Sequence, residues 1–119
     1  MKKNIGFILS LVFFIASCTY EKGELPAPKK INPCDTIVSY SAVIYPIVTA
    51  RCAIPGCHTA GAFNGDYTTY LGLKAKADNG TLKNAVVVLR TMPKPGKTPL
   101  TEYQISKINC WIEQGSPNN

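Results

Sequence analysis

The chain has 119 residues, fewer than the roughly 150 of an average domain, so we expect one small globular unit rather than a multidomain enzyme. Its composition, 45% hydrophobic and 17% charged, is too apolar for a disordered chain and too mixed for a bundle of membrane helices. The formal charge of +6 is not arranged in the stripes of Arg and aromatic residues that are typical of nucleic-acid binding, so no nucleic-acid partner is expected. Five Cys and one His are more informative, because they indicate disulfides or a cofactor.

The first 17 residues are typical of an export signal. Lys2 and Lys3 precede an apolar run of about 12 residues, which is shorter than the roughly 20 needed to span a bilayer. The run ends in the letters IASC, which resemble a bacterial lipobox, so we expect cleavage before Cys18 and acylation of its thiol. The alternative is an ordinary signal peptide in which Cys18 is incidental.

The mature chain divides into a tether and a folded domain. Residues 18–33 contain three prolines and an adjacent pair of lysines without a hydrophobic period, which predicts a lipidated flexible tether. Residues 34–119 are the predicted folded domain. Thr19, directly after the acylated Cys, resembles the pattern that sorts lipoproteins to the outer membrane. We therefore expect an exported protein that is lipid-anchored to a bacterial membrane, facing the periplasm or the surface.

The folded region is predicted to be all-α. Helical spacing of apolar residues and helix-end signals predict helices over residues 39–51, 68–77 and 101–114. Residues 85–89 (AVVVL) fit either a short strand or a buried helical turn, because periodicity does not separate the two at this length. Residues 90–99 contain three prolines and are predicted to be a constrained loop.

The last predicted helix has the clearest boundaries. Thr101 and Gln104 have the spacing of a capping box, and Leu100 is placed to pack against Ile105. Gly115 follows the last turn, where a left-handed residue commonly ends a helix.

The segment from Cys52 to His58, CAIPGCH, has the residues that covalent haem attachment needs. Two thiols add across the vinyl groups of the porphyrin, and the His next to the second Cys is thereby placed as an axial ligand of the iron. The common motif has two residues between the cysteines, whereas this one has four. Pro55-Gly56 suits a tight turn that would take up the longer spacer.

With this motif, the region from Cys34 to Asn119 resembles a small bacterial monohaem c-type cytochrome domain of the lipoprotein type. The sequence around Met92 (TMP) resembles the Met-Pro loop that supplies the sixth iron ligand, and residues 111–115 (WIEQG) resemble the terminal helix of such domains. The resemblance implies a small cytochrome c-like fold of three to four short helices around one covalently bound haem c. It also implies electron transfer between redox partner proteins, with no small-molecule substrate.

The axial ligands follow from a short inventory. Met1 leaves with the signal peptide and the chain has one His, so His58 and Met92 are the two neutral ligands available to the iron. His/Met ligation raises the reduction potential relative to two His ligands. The alternative is that Met92 is an ordinary core or loop residue, which would leave the iron five-coordinate or bound to water.

The remaining cysteines are assigned by parity. With Cys18 acylated and two cysteines bound to haem, Cys34 and Cys110 are left, and two thiols in an oxidising compartment are expected to form a disulfide. The alternative is that one of them, such as Cys110, is a buried free thiol.

Two alternatives without haem are also compatible with these residues. A zinc site would combine Cys52, Cys57 and His58 with a fourth ligand such as Cys34 or Cys110. A disulfide between Cys52 and Cys57 would instead make the protein a non-catalytic structural or binding lipoprotein. Enzymatic activity is not expected, because the acidic residues are scattered and have no partner His for proton transfer.

Two groups of residues could face the haem or serve ordinary structural roles. Phe63, Tyr67 and Tyr70 could pack against the haem or fill the core. Several lysines could surround an exposed haem edge and steer an acidic redox partner, or form a solvated surface. They are Lys74, Lys76, Lys83, Lys94, Lys97 and Lys107.

Overall fold

A computed structural model describes residues 32–119, and its regular structure is entirely helical over this range. The α-helices are α1 (Tyr45–Arg51), α2 (Tyr70–Asp78), α3 (Thr81–Lys83) and α4 (Glu102–Glu113). A π-helical turn, Tyr40–Ile44, leads directly into α1, and a second, Asn84–Val88, continues from α3. The all-α prediction is confirmed.

Part of the predicted organisation lies outside the described residues. This applies to the signal peptide, to the acylated Cys18 and to the tether, apart from its last two residues. Among the helices of residues 32–119, none has the length and apolar character to cross a membrane.

The first helix begins one residue later than predicted. Ser39 is its N-cap, and its hydroxyl accepts a hydrogen bond from the Ala42 amide at 3.2 Å. Pro46 lies in the first turn of α1, where its missing N–H costs least. Ile44 and Val48 are buried, so this helix packs one face against the core.

Of the ambiguous segment at residues 85–89, residues 85–88 are helical rather than extended, and Leu89 is the C-cap. Leu82 in α3 and Val86 in the following π-helical turn are four positions apart, and both are buried. In a helix, residues four positions apart lie on the same face, so Leu82 and Val86 can be buried together. In a strand, alternate residues lie on the same side, so Asn84 would be buried with them. Asn84 is exposed, so the helical conformation sorts the apolar and polar residues better.

The predicted boundaries of α4 are confirmed. The Thr101 hydroxyl accepts from the Gln104 amide at 3.2 Å, and the Gln104 side chain accepts from the Thr101 amide at 2.9 Å. These reciprocal bonds are a capping box, which satisfies amides that the first turn leaves unpaired. Gly115 has φ +85°, so a left-handed residue ends the helix as predicted.

The core is built on the inner face of α4. The Trp111 ring is completely buried, its centroid lies 5.8 Å from that of Tyr40, and its indole N–H donates to the Pro117 carbonyl at 2.9 Å. Burial of this ring and its satisfied N–H make it a large contributor to the apolar core. The largest fully buried side chains are Ile44, Val48, Leu73, Ile108, Cys110 and Trp111.

The predicted disulfide between Cys34 and Cys110 is present, with the two Cα atoms 5.0 Å apart. The segment next to Cys34 is also held by Gln114, whose side chain accepts from the Val38 amide and donates to the Thr36 carbonyl at 2.8 and 2.9 Å. The start of the described chain is therefore fixed to α4 by one covalent bond and by hydrogen bonds.

We expect the double variant Cys34→Ala, Cys110→Ala to lose about 4 kcal/mol of unfolding free energy, because the bond spans 76 positions and restricts the unfolded chain. Urea denaturation followed by circular dichroism measures this loss. The reduced parent protein is the control, and it should unfold at the same urea concentration as the variant. A variant as stable as the oxidised parent would contradict a structural role for the bond.

Candidate functional site

A cavity of about 420 Å³ contains all four residues predicted to bind haem. Cys52, Cys57 and His58 line it, and Met92 lines it as well although it comes from a separate segment. The volume lies within the roughly 300–1,000 Å³ of small-molecule and cofactor sites. The fold thus brings the predicted thiols, imidazole and thioether to one place.

A tight turn closes the loop between the two cysteines. The Cys57 amide donates to the Ile54 carbonyl at 3.0 Å, and Gly56 has φ +80°. Pro55 followed by a left-handed Gly is the pattern of a type II turn. The His58 amide then donates to the Cys52 carbonyl at 3.1 Å, so the chain returns to the first Cys after the turn.

The thiols of Cys52 and Cys57 are both free. Cys52 is buried, and its burial, with a smaller effect of the neighbouring Cys57, raises its pKa to about 11. The Cys52 thiol is therefore protonated at neutral pH. No bond joins these two sulfurs in the structure, unlike the disulfide at Cys34 and Cys110.

His58 is oriented by a backbone carbonyl and by an aromatic ring. Its Nδ1 lies 3.1 Å from the Gly65 carbonyl oxygen, which can only accept, so Nδ1 carries the proton. The lone pair is then on Nε2, the arrangement in which an imidazole binds a metal while its other nitrogen holds it in place. The ring stacks on Tyr67, with centroids 4.0 Å apart and planes 6° from parallel.

Met92 is half-buried and belongs to the proline-rich segment that follows the second π-helical turn. The Thr91 and Met92 amides both donate to the Ala85 carbonyl, at 2.9 and 3.3 Å. These bonds fold the chain back toward the π-helical turn, so that Met92 lines the cavity with Val86.

The charged residues around the cavity are all basic. Of the described residues, Arg51, Lys76, Lys94 and Lys97 line it, and no Asp or Glu does. The Nε of Arg51 is buried and has no hydrogen-bond partner within residues 32–119. Arg51 was not predicted as a site residue, although it lies directly before Cys52 in the sequence.

The structure separates the six predicted surface lysines into two groups. Lys76, Lys94 and Lys97 line the cavity. The others have partners elsewhere: Lys74 with Asp78 at 2.7 Å, Lys83 with Glu113 at 3.3 Å, and Lys107 over the Tyr103 ring at 5.5 Å.

The aromatic residues are also separated. Tyr67 and the fully exposed Phe63 line the cavity, whereas Tyr70 packs against Tyr40 and its hydroxyl donates to the Ser116 carbonyl at 2.8 Å. Tyr70 is thus a core residue.

The zinc hypothesis loses its fourth ligand, because Cys34 and Cys110 are joined in a disulfide. Within residues 32–119, no three His, Cys, Asp or Glu side chains are grouped so that they could hold a metal ion. The donors that meet in the cavity are instead one imidazole, one thioether and two thiols.

Comparison of the chain with protein-family models, with curated proteins and with solved structures gave no match.

Gly72 controls how the loop that carries Gly65 packs on α2. A Cβ at Gly72 would overlap the Asp66 carbonyl oxygen. The Asp66 carboxylate accepts hydrogen bonds from the side chain and amide of Thr68, and these bonds lower its pKa. The close approach of this loop to α2 therefore requires Gly.

We expect Gly72→Ala to destabilise the protein by roughly 1–3 kcal/mol, because the loop must move away from the helix. Helix propensity alone would make the variant more stable, since Ala stabilises a helix interior by about 1 kcal/mol relative to Gly. The sign of the change in urea midpoint distinguishes the two effects. A more stable variant would contradict the close packing.

Proposed function

We propose that the chain is a membrane-tethered c-type cytochrome that carries one covalently bound haem c and transfers single electrons between redox partner proteins. The observation that supports this most strongly is the convergence of Cys52, Cys57, His58 and Met92 on one cavity. The first three residues are neighbours in sequence, but Met92 reaches the cavity only through the tertiary fold.

Each donor has a defined role in this proposal. Cys52 and Cys57 would hold the porphyrin through thioether bonds, in which each S–H adds across a vinyl C=C and no group is released. His58 would bind the iron through Nε2 while Gly65 holds Nδ1, and the Met92 thioether would be the other protein ligand. When bound, the haem supplies one-electron chemistry between Fe(II) and Fe(III).

The charges of the cavity fit this group. Haem carries two propionate carboxylates, and the cavity combines four basic side chains with an apolar wall that includes Leu82 and Val86. A buried donor without a partner is costly, and Arg51 Nε is such a donor. A carboxylate within reach of Arg51 would remove that cost through a charge-assisted hydrogen bond.

Electron transfer fits this ligand set better than catalysis. With both His58 and Met92 bound to the iron, small oxidants would find no free site there, so the protein would have no substrate of its own. The thioether favours Fe(II) and raises the reduction potential. Basic residues at the cavity would favour an acidic redox partner by electrostatic attraction.

The membrane assignment rests on the sequence alone. The export signal and the acylated Cys18 would place the domain on a lipid-anchored tether, at the outer membrane and facing the periplasm or the surface. The competing function, a non-catalytic structural or binding lipoprotein, calls for a disulfide between Cys52 and Cys57, whereas both of these thiols are free.

Covalent attachment is tested by producing the protein in a host that matures c-type cytochromes. After denaturation under reducing conditions, we expect haem to remain with the chain, because thioether bonds survive both treatments. Absorbance of the denatured band and intact mass measure this retention. A colourless chain of unmodified mass at Cys52 and Cys57 would contradict the proposed function.

Two double variants sharpen this experiment. The variant Cys52→Ala, Cys57→Ala should lose covalent haem, whereas the control Cys34→Ala, Cys110→Ala removes the same number of sulfurs and should retain it. Equal haem content in the two variants would contradict the assignment of the attachment site.

The role of Met92 is tested with Met92→Leu, which keeps an apolar side chain of similar size but removes the sulfur. We expect the reduction potential to fall by roughly 0.1 V or more, because the thioether no longer stabilises Fe(II). Potentiometric titration measures the change, and circular dichroism checks that the fold is intact. An unchanged potential would mean that Met92 is not a ligand.

A further inference from the structure

Met92 lies between two cavities. Besides the site cavity, a second cavity of about 220 Å³ is lined by Met92 and Pro93 and by apolar residues that include Leu100 and Ile105. Its volume is several times the roughly 30 Å³ that one water molecule occupies. Met92 therefore borders open space in two cavities rather than one.

Few polar interactions hold the segment that carries Met92. Within residues 90–99, the Thr91 and Met92 amides bond to the Ala85 carbonyl, and the Lys97 amide bonds to the Lys94 carbonyl. These contacts are local. They fix where the segment leaves the π-helical turn but do not connect it to α4.

Arg90 and Glu102 make the connection to α4. Two guanidinium nitrogens of Arg90 donate to the two carboxylate oxygens of Glu102, at 2.5 and 2.9 Å. Among the hydrogen bonds and ion pairs of the described residues, this pair alone joins residues 90–99 to α4. Its paired geometry fixes orientation as well as distance.

The backbone of Arg90 makes this contact specific. Arg90 has φ +52°, a left-handed conformation that is uncommon for a residue with a side chain. The turn at Arg90 sets the direction in which the chain continues to Met92, two residues later. Both Arg90 and Glu102 also line the second cavity, so the ion pair borders the space into which Met92 could move.

We propose that Arg90 and Glu102 are positioning residues that keep the Met92 thioether in the site cavity rather than in the second cavity. This inference rests on the proposed function, in which Met92 binds the haem iron. The side chains of Arg90 and Glu102 are 54% and 76% exposed, so their contribution to overall stability is small. A small free energy is nevertheless sufficient to shift the population of a side chain between two positions.

The experiment compares Glu102→Ala with Lys83→Ala in the haem-loaded protein. The second variant is a matched control, because it removes another partly exposed ion pair of α4, Lys83 with Glu113, which joins the helix to α3 and not to residues 90–99. Added imidazole competes with Met92 for ferric iron, and its affinity therefore reports how firmly the thioether is held. Absorbance titration measures this affinity, and the methionine-to-iron charge-transfer band is recorded in parallel.

We expect Glu102→Ala to bind imidazole about two- to fivefold more tightly than the parent, the range that corresponds to an exposed ion pair. Lys83→Ala should match the parent, and Glu102→Asp, which keeps the carboxylate, should recover most of the difference. Equal affinities for Glu102→Ala and Lys83→Ala would overturn the positioning role while leaving the proposed function intact. A haem-loaded parent without the methionine band would instead overturn Met92 ligation and, with it, this inference.

Discussion

The buried face of α4 is the constraint on which the other elements depend. Trp111 and Cys110 on this face are completely buried, and Tyr40 packs on the first while Cys34 is bonded to the second. The same helix forms an ion pair at each end, from Glu102 at its start to Arg90 and from Glu113 at its end to Lys83 in α3. A chain of this size can build only a small core, and α4 packs against both π-helical turns and α3 to form it.

The candidate site lies where side chains do not fill the space between the helices. Its thiols and imidazole follow α1, its thioether follows the second π-helical turn, and the space between them is a cavity rather than packed side chains. Leu82 and Val86 are part of the core and also line the cavity. A bound porphyrin would continue the apolar core from these residues, so the proposed cofactor would contribute to folding as well as to redox chemistry.

The features that could be predicted from the sequence depend on residues close together in the chain or on the number of cysteines. The capping box at Thr101 depends on residues three positions apart, and the bond at Cys110 followed from the parity of the cysteines once a haem site was assumed. The conformation of residues 85–89 could not be predicted, because it depends on which partners bury Val86. Two further features depend on the tertiary fold and could not be predicted from sequence spacing. Among the described residues, these are the lack of a hydrogen-bond partner at Arg51 Nε and the ion pair of Arg90 with Glu102 in α4.

The four-residue spacer is the main departure from the usual haem-attachment motif, and the turn at Pro55-Gly56 shows how the chain accommodates it. Two extra residues would displace His58 if the spacer were extended, because each residue adds roughly 3.3–3.6 Å to an extended chain. The turn instead reverses the chain, and the His58 amide returns to the Cys52 carbonyl at 3.1 Å. The position of the His relative to the first Cys is therefore set by this hydrogen bond and not by the number of residues between them. In the proposed cytochrome, this turn would take up the two extra residues between the attachment cysteines.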